Sequence, residues 1–284
     1  MNKLKKIKKL LELNYNLKLK KYDYYPKTNK ELKEIVDKVY VFKKNADLNN
    51  IDVSDIKDFT RIFADKINFQ GDVSEWDVSN GKKFYDMFKH CHNFNCNISN
   101  WNISNGEYFI NMFYSCKKFN HDLNEWDVSN GKHFNYMFGY CDIFNSDLSK
   151  WDVSNAKNFY NTFNKCEKFN SDISEWNVSK TEEFVGMFNE CKIFNSDISK
   201  WDVSNGKNFW FMFFECYKFN SDLSGWDVSN GEYFDRMFFL CESFNADLSR
   251  WDVSMAKSWY NFAKGSLLEK YPERIPEKFR GGYL

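Results

Sequence analysis

The sequence predicts an α/β solenoid, one elongated domain of about eight to nine 25-residue coils, each a short strand plus a short helix. Three observations carry that expectation. Trp76, Trp101, Trp126, Trp151, Trp176, Trp201, Trp226 and Trp251 recur every 25 residues without insertion or deletion, and Ile51 holds the same place one period earlier. A fixed period between about 20 and 50 residues is the mark of a solenoid, propeller or array. With the tryptophan as position 1, positions 9, 13 and 19 hold 24 of the 30 phenylalanines, so the aromatic content is core material. Stacking platforms for nucleic acid would instead need aromatics exposed beside basic residues. Finally, both chain ends depart from the period, as capping units do.

The elements follow in chain order. Residues 1–25 form a basic tail or helix: residues 1–21 carry eight Lys and one Glu, which leaves 32 basic and 39 acidic residues in the remainder. Leu4, Ile7 and Leu11 share a face at helical spacing, but the stripe stops at Asn14. There is no secretory signal and no run long enough to cross a bilayer. Residues 26–46 form a capping helix, announced by Thr28 and Glu31 as a capping-box pair before Leu32, Ile35, Val36 and Val39.

The solenoid spans 47–258. Positions 23, 1 and 3 spell Leu-x-x-Trp-x-Val, as in Leu123, Trp126 and Val128. That matches the strand segment of leucine-rich repeats, with positions 1 and 3 inward. Serine at position 4 then caps a helix whose inward face is positions 9, 12, 13 and 16. Phe at position 19 and Asn at position 20 (Asn95 to Asn245) turn the chain back, the amide satisfying backbone groups at the bend. Residues 259–284 form an irregular C-terminal cap, and Pro26, Pro272 and Pro276 all fall outside the coils.

Seven of the eight cysteines (Cys91, Cys116, Cys141, Cys166, Cys191, Cys216, Cys241) form one ladder at position 16. Their number is odd and their side chains point in parallel, so they read as small buried thiols of a reducing compartment rather than as disulfides.

The unit WDVSN-x₃-F-x₂-MF-x₂-C-x₂-FN-x-DLS, seen from Trp151 to Ser174 with Thr162 and Ile173 as variants, resembles the 25-residue-repeat surface proteins of mycoplasmas. These are related to BspA-like leucine-rich repeats and also occur in large DNA viruses. The resemblance covers about residues 26–280. It implies a leucine-rich-repeat-like, right-handed solenoid, with surface attachment or protein interaction proposed for some members, and no catalytic residues. The sequence departs from the family at position 6, Gly or Ala in most copies here (Gly81, Gly106, Gly131, Ala156), and in lacking a secretion or lipoprotein signal.

Chemistry has few candidates. Asp at position 2 (Asp52, Asp77, Asp127, Asp152, Asp202, Asp227, Asp252) and a second acidic row at position 22 could hold Ca²⁺, but local backbone bonding is the favoured role. His90, Cys91, His92, Cys96 and His121 invite zinc at a spacing that matches no standard finger. No hydrolase constellation or phosphate-binding loop is present, so the expectation is no enzyme, cofactor, metal or small-molecule substrate. Asn97, Asn102 and Asn177 head Asn-x-Ser triplets that read as unglycosylated.

Two surfaces remain as candidate partner sites. Where positions 10, 11, 14 and 15 are mostly polar, the C-terminal coils place Trp210, Phe211, Phe214, Phe239 and Leu240, either as a contact site or covered by Leu267, Leu268 and Tyr271 of the cap. On the strand face, Asp77, Asp127, Asp152, Asp202, Asp227 and Asp252 run beside Lys150, Lys200 and Arg250, an acidic strip turning basic toward its C-terminal end. The resulting expectation is a non-enzymatic protein-interaction scaffold inside a cell or on a virus particle, with a protein partner. The alternative is an extracellular or cell-surface adhesin. Nucleic-acid or membrane-surface association through the basic N-terminus is a more distant one.

Overall fold

A computed structural model describes residues 22–282. The basic segment 1–21, with its Leu4–Ile7–Leu11 stripe, lies outside them. The chain is a stack of 25-residue coils, and what stacks them is the backbone. From each coil, the N–H groups of positions 9, 11, 13 and 15 donate to carbonyls of the next coil, as Phe84 to Tyr108 (2.9 Å), Asp86 to Ile110 (2.9 Å), Phe88 to Met112 (2.8 Å) and His90 to Tyr114 (2.8 Å). Position 8 adds a run of single parallel bridges from Asp58 through Lys83, Tyr108, His133, Asn158, Glu183, Asn208 and Tyr233 to Ser258.

This architecture corrects the expected strand and helix of each coil. Among the described residues the stack contains no extended strand and no helix within a coil. Positions 23 to 1 are a turn, with Trp76 N–H on the Val73 carbonyl (3.1 Å). Positions 9 to 16 are consecutive turns, with Met87 N–H on Phe84, Lys89 on Asp86 and Cys91 on Phe88. The third residues of the first and last of these turns, positions 11 and 15, take positive φ, as Asp86 (52°) and His90 (60°) do, and as Phe211 (57°) and Glu215 (56°) do five coils later. That is the conformation a type II turn requires at this place. It turns the intervening amides along the stack, where the neighbouring coil satisfies them. Position 4 is accordingly not a helix cap; it is the end of a turn closed by position 2.

The inward residues are those expected. The tryptophans, the Val or Ile of position 3, and positions 9, 12, 13, 16, 19 and 23 are buried along the stack. Equivalent rings stack from coil to coil, for example Phe138 on Phe163 (5.7 Å, 6°) and Trp151 on Trp176 (6.2 Å, 2°). Each indole Nε1 donates to the position-23 carbonyl 28 residues earlier, one layer down the stack, at 2.8–3.1 Å. Each ladder thiol donates to the preceding position-13 carbonyl at 2.8–3.1 Å. All eight cysteines are free, and burial pushes the ladder thiols well above their ordinary pKa. The position-20 asparagines form their own ladder: the Asn145 N–H donates to Asn120 Oδ1 at 2.7 Å, and so on to Asn245.

The ends are closed by different means. Helix α1, Asn29–Phe42, starts at Thr28, whose hydroxyl accepts from the Glu31 N–H (3.2 Å), while Glu31 Oε2 accepts from Lys27 N–H (2.7 Å). Leu32 and Val36 bury against the first coil, and Asn29 Nδ2 donates to the Asp58 and Thr60 carbonyls. The first coil has Lys66 in place of a ladder cysteine, and it pairs with Asp37 of α1. Three short 3₁₀ turns, Leu267–Lys270, Pro272–Arg274 and Glu277–Gly282, cover the last coil. Leu268, Ile275 and Phe279 are buried there, and Lys278 Nζ donates to the Val253, Ser254 and Ala256 carbonyls.

Candidate functional site

The carboxylate rows are structural. At position 2, Oδ1 of Asp77, Asp127, Asp152, Asp202, Asp227 and Asp252 accepts the N–H of the serine two residues on, at 2.9–3.1 Å. Asn102 and Asn177 accept from Ser104 and Ser179 in the same way (3.1 Å each), which explains why the amide can replace the acid. Position 22 repeats the device, as in Asp172 to Ser174 (3.0 Å). These bonds, from the serine hydroxyl and amide, hold Asp152, Asp227 and Asp247 below the usual carboxylate range.

The strip is therefore a row of turns carrying acids, not the outer face of a strand. Toward its basic end Lys150 pairs with Glu125 (2.5 Å) and Lys200 lies 3.8 Å from Glu175, while Arg250 forms no ion pair among the described residues. His90 Nδ1 lies 2.8 Å from Asp65 Oδ1 and His121 Nε2 lies 2.8 Å from the Asn95 carbonyl, so the histidines do not converge on Cys91.

A device the sequence reading passed over lies at position 7, where Lys57, Lys82, Glu107, Lys132, Lys157, Glu182, Lys207, Glu232 and Lys257 stand in line. Lys132–Glu107 (2.7 Å), Lys207–Glu182 (2.6 Å) and Lys257–Glu232 (2.6 Å) pair between coils. The alternation of sign at one register position was the available signal.

The aromatic candidates do assemble. The Trp210 and Phe211 rings lie 5.1 Å apart, Phe211 meets Phe214 edge-on at 5.2 Å, and Phe214 stacks on Phe239 at 5.1 Å and 6°. Trp210 is 46% exposed, and Phe211, Phe214, Phe239 and Leu240 are half-buried. The cap touches only the far edge. Gly265, at φ 76°, leaves room for Leu240, whose Cδ2 would lie 2.5 Å from an added Cβ. Leu267 is half-buried and Tyr271 exposed, and neither covers Trp210.

The structure adds members the sequence reading missed. The Arg236 guanidinium lies over Phe211 (5.4 Å) and over Tyr260 (5.5 Å), which is 65% exposed. Beside Tyr260, Trp259 and Phe279 line a cleft of about 680 Å³ together with Lys257, Lys264 and Glu269. Further along the same turn face, Tyr114 meets Tyr140 (5.2 Å) and Tyr136 meets Tyr160 (5.3 Å). Arg236, Tyr260 and the four tyrosines all occupy positions 10, 11, 14 or 15, so reading the whole register would have found them, whereas Trp259 stands at position 9 and Phe279 belongs to the cap.

The sequence model of one family, described as a mycoplasma protein of unknown function (DUF285), matches three times, over residues 30–143, 133–207 and 175–270. The chain belongs to that family. The overlapping matches within one DUF285 chain reflect the coil period itself, which makes it a repeat protein by family as well as by register. No curated protein and no solved structure matches the chain.

Proposed function

We propose that this DUF285 protein is a non-enzymatic protein-interaction scaffold, a right-handed solenoid of leucine-rich-repeat kind in which turns replace the helix and strand of each coil. The observation that carries the reading is the aromatic patch of Trp210, Phe211, Phe214 and Phe239, which no coil needs for stacking. Position 10 is Asn135 or Asp235 in other coils, and position 14 is Asn164 or Asn189, so the period tolerates polar residues at both places. Contiguous apolar surface centred on a tryptophan and flanked by an arginine has the make-up of an interface centre.

The residues with the side chains for chemistry support the same reading from the other side. The Asp rows are tied to serine amides and the ladder thiols to carbonyls, so neither is poised to react. Free thiols favour a reducing compartment or a virion as the place of action.

The test is association of the native protein with its partners, captured with wild type and with Trp210→Ala and Phe214→Ala variants. Loss of specific capture with both variants, at unchanged folding, supports the scaffold. Undiminished capture by both removes the patch from the function. Fractionation of the native protein decides location: a surface pool favours the adhesin alternative.

A further inference from the structure

The patch has a border as well as a centre, and on that border acids outnumber bases, though Lys264 stands on the rung from Leu240 (2.8 Å) and Lys165 pairs with Glu190 (3.3 Å). Glu190 and Glu215 are joined to it by the backbone rungs Glu190 N–H to Phe214 (2.7 Å) and Glu215 N–H to Phe239 (2.8 Å). Asp235 lies on the rung from Phe211 (3.0 Å), and Glu183 sits one coil before Asn208 on the bridge line. Glu183, Glu215 and Asp235 form no ion pair with a lysine or arginine among the described residues; Glu215 Oε2 takes the Tyr217 hydroxyl (2.9 Å), and Asp235 Oδ1 takes the Ser258 hydroxyl (2.5 Å) and the Tyr260 N–H (3.0 Å). The one cation at the centre, Arg236, is held between two aromatic rings. An occupant suited to this surface carries an apolar stripe for Trp210, Phe214 and Phe239, and positive charge on both flanks.

Residues 1–21 supply that pattern. Leu4, Ile7 and Leu11 fall at helical spacing, with Lys3, Lys5, Lys6, Lys8 and Lys9 around them. Their charge is opposite to that of the rest of the chain, which holds 39 acidic against 32 basic residues.

Resting on the interaction-scaffold reading, we infer that the patch is a self-recognition site whose occupant is the segment 1–21 of a second copy. Geometry favours a second copy over the same one. The chain enters the fold at the first coil, where the Asp23 N–H donates to Asn50 (2.9 Å) and Tyr24 pairs with Ile51. Trp210 lies six coils further on, roughly 30 Å along the stack at about 5 Å per coil. The ten residues between Leu11 and Tyr22 span at most about 35 Å when fully extended. Laying the stripe on its own patch would require a nearly taut tether running from positions 25 to 2 across to positions 10 to 15. A neighbouring molecule imposes no such demand. Because donor segment and acceptor patch are different surfaces, the contact is heterologous and can propagate head to tail.

The experiment titrates the full-length protein with a fluorescein-labelled peptide of residues 1–21, read by anisotropy. Sedimentation equilibrium of the unlabelled protein runs in parallel. Expected are saturable binding, at least tenfold weaker binding to Trp210→Ala or Phe214→Ala, and loss with a peptide carrying Leu4→Ser, Ile7→Ser and Leu11→Ser. Self-association of the full-length chain should vanish when the same three substitutions are made within it. The inference is overturned if the peptide does not bind, if Trp210→Ala binds it as wild type does, or if the serine peptide binds equally well, which would place the lysines on the Asp rows by charge alone. A monomeric full-length chain would overturn the second-copy assignment. Failure of the peptide while Trp210→Ala still abolishes capture of a different protein leaves the scaffold standing and removes only self-recognition. If Trp210→Ala alters no association at all, both fall.

Discussion

Replacing Trp176 by phenylalanine isolates what one rung of the ladder contributes. Trp176 is 3% exposed and lies between Trp151 (6.2 Å, 2°) and Trp201 (6.4 Å, 0°), with Phe159 packed at 5.7 Å. Its Nε1 donates to the Leu148 carbonyl at 2.9 Å, but that carbonyl also accepts the Trp151 N–H at 3.1 Å. The substitution therefore removes one hydrogen bond without orphaning a buried acceptor, a cost of about 0.5–1.5 kcal/mol. Phenylalanine is smaller by roughly 40 Å³, and at ~24 cal/mol per Å³ of unfilled cavity this adds about 1 kcal/mol, with lost ring burial on top. The expected loss is about 2–3 kcal/mol, read from urea unfolding followed by circular dichroism. Trp251→Phe should cost less, because Trp226 at 6.5 Å is its one tryptophan neighbour and the cap meets it only edge-on through Phe262. A Trp176→Phe cost below about 1 kcal/mol would refute the stacked-ladder account, since less would then be lost than the area alone requires. A cost above about 5 kcal/mol would mean that the Leu148 carbonyl is not doubly served.

Other expectations follow from the turns. Asp202 Oδ1 accepts the Ser204 N–H (3.1 Å) and Oγ (2.6 Å), so Asp202→Asn should be within about 0.5 kcal/mol of wild type and Asp202→Ala about 1 kcal/mol less stable in the same unfolding assay. Asp152, Asp227 and Asp247 have folded pKa values below the ordinary 3.8, so their contribution is present above that value and lost as pH falls through the lower folded values. Melting temperature should therefore drop below about pH 4, and less steeply in the triple Asp→Asn variant. A thiol reagent at neutral pH should find no ladder cysteine in the native protein. Only half-buried Cys96, its pKa raised to about 11, should react, and slowly, while all eight react in denaturant. Ser115, at φ 62°, should accept glycine with a change within about 0.5 kcal/mol and lose about 2 kcal/mol on Ser115→Val, because β-branching opposes that backbone.

The sequence made the buried set legible because the stack uses each inward position identically in every coil. It did not make the backbone legible, for a physical reason. Inward residues at positions 9, 12, 13 and 16 satisfy the spacing of a helical face, and consecutive turns with left-handed third residues bury the same four. The usual mark of such turns is glycine, yet here it stands only at Gly186 and Gly265. Asp65, Asp86, Asn111, Asn161 and Asn261 suit the left-handed places, but others hold Tyr136, Lys165, Phe211, Glu215 and Leu240, types that carry no turn signature, so the register shows no consistent mark. What holds them is the rung to the next coil, a contact 24 residues away that no local pattern encodes. The same holds for the candidate site: Trp210 to Leu240 stood out as departures from the period, whereas Arg236 and Tyr260 join them only through the stacking of three coils.

That separation between what stacks and what departs can be measured at Trp210. Its backbone keeps the rung, with the Gly186 N–H on its carbonyl (2.8 Å) and its own N–H on Asn208 Oδ1 (3.2 Å), and neither bond involves the indole. The indole is 46% exposed and touches Phe211, whereas the ladder tryptophans are at most 5% exposed. Trp210→Ala should therefore cost within about 0.5 kcal/mol of folding stability, the range of a surface change, while weakening association through the patch by tenfold or more. Trp176→Phe should do the reverse, lowering stability and leaving association unchanged below the unfolding transition. If Trp210→Ala destabilises as strongly as Trp176→Phe, the patch belongs to the core of the stack and the search for a partner surface moves to the tyrosines at positions 10, 11, 14 and 15.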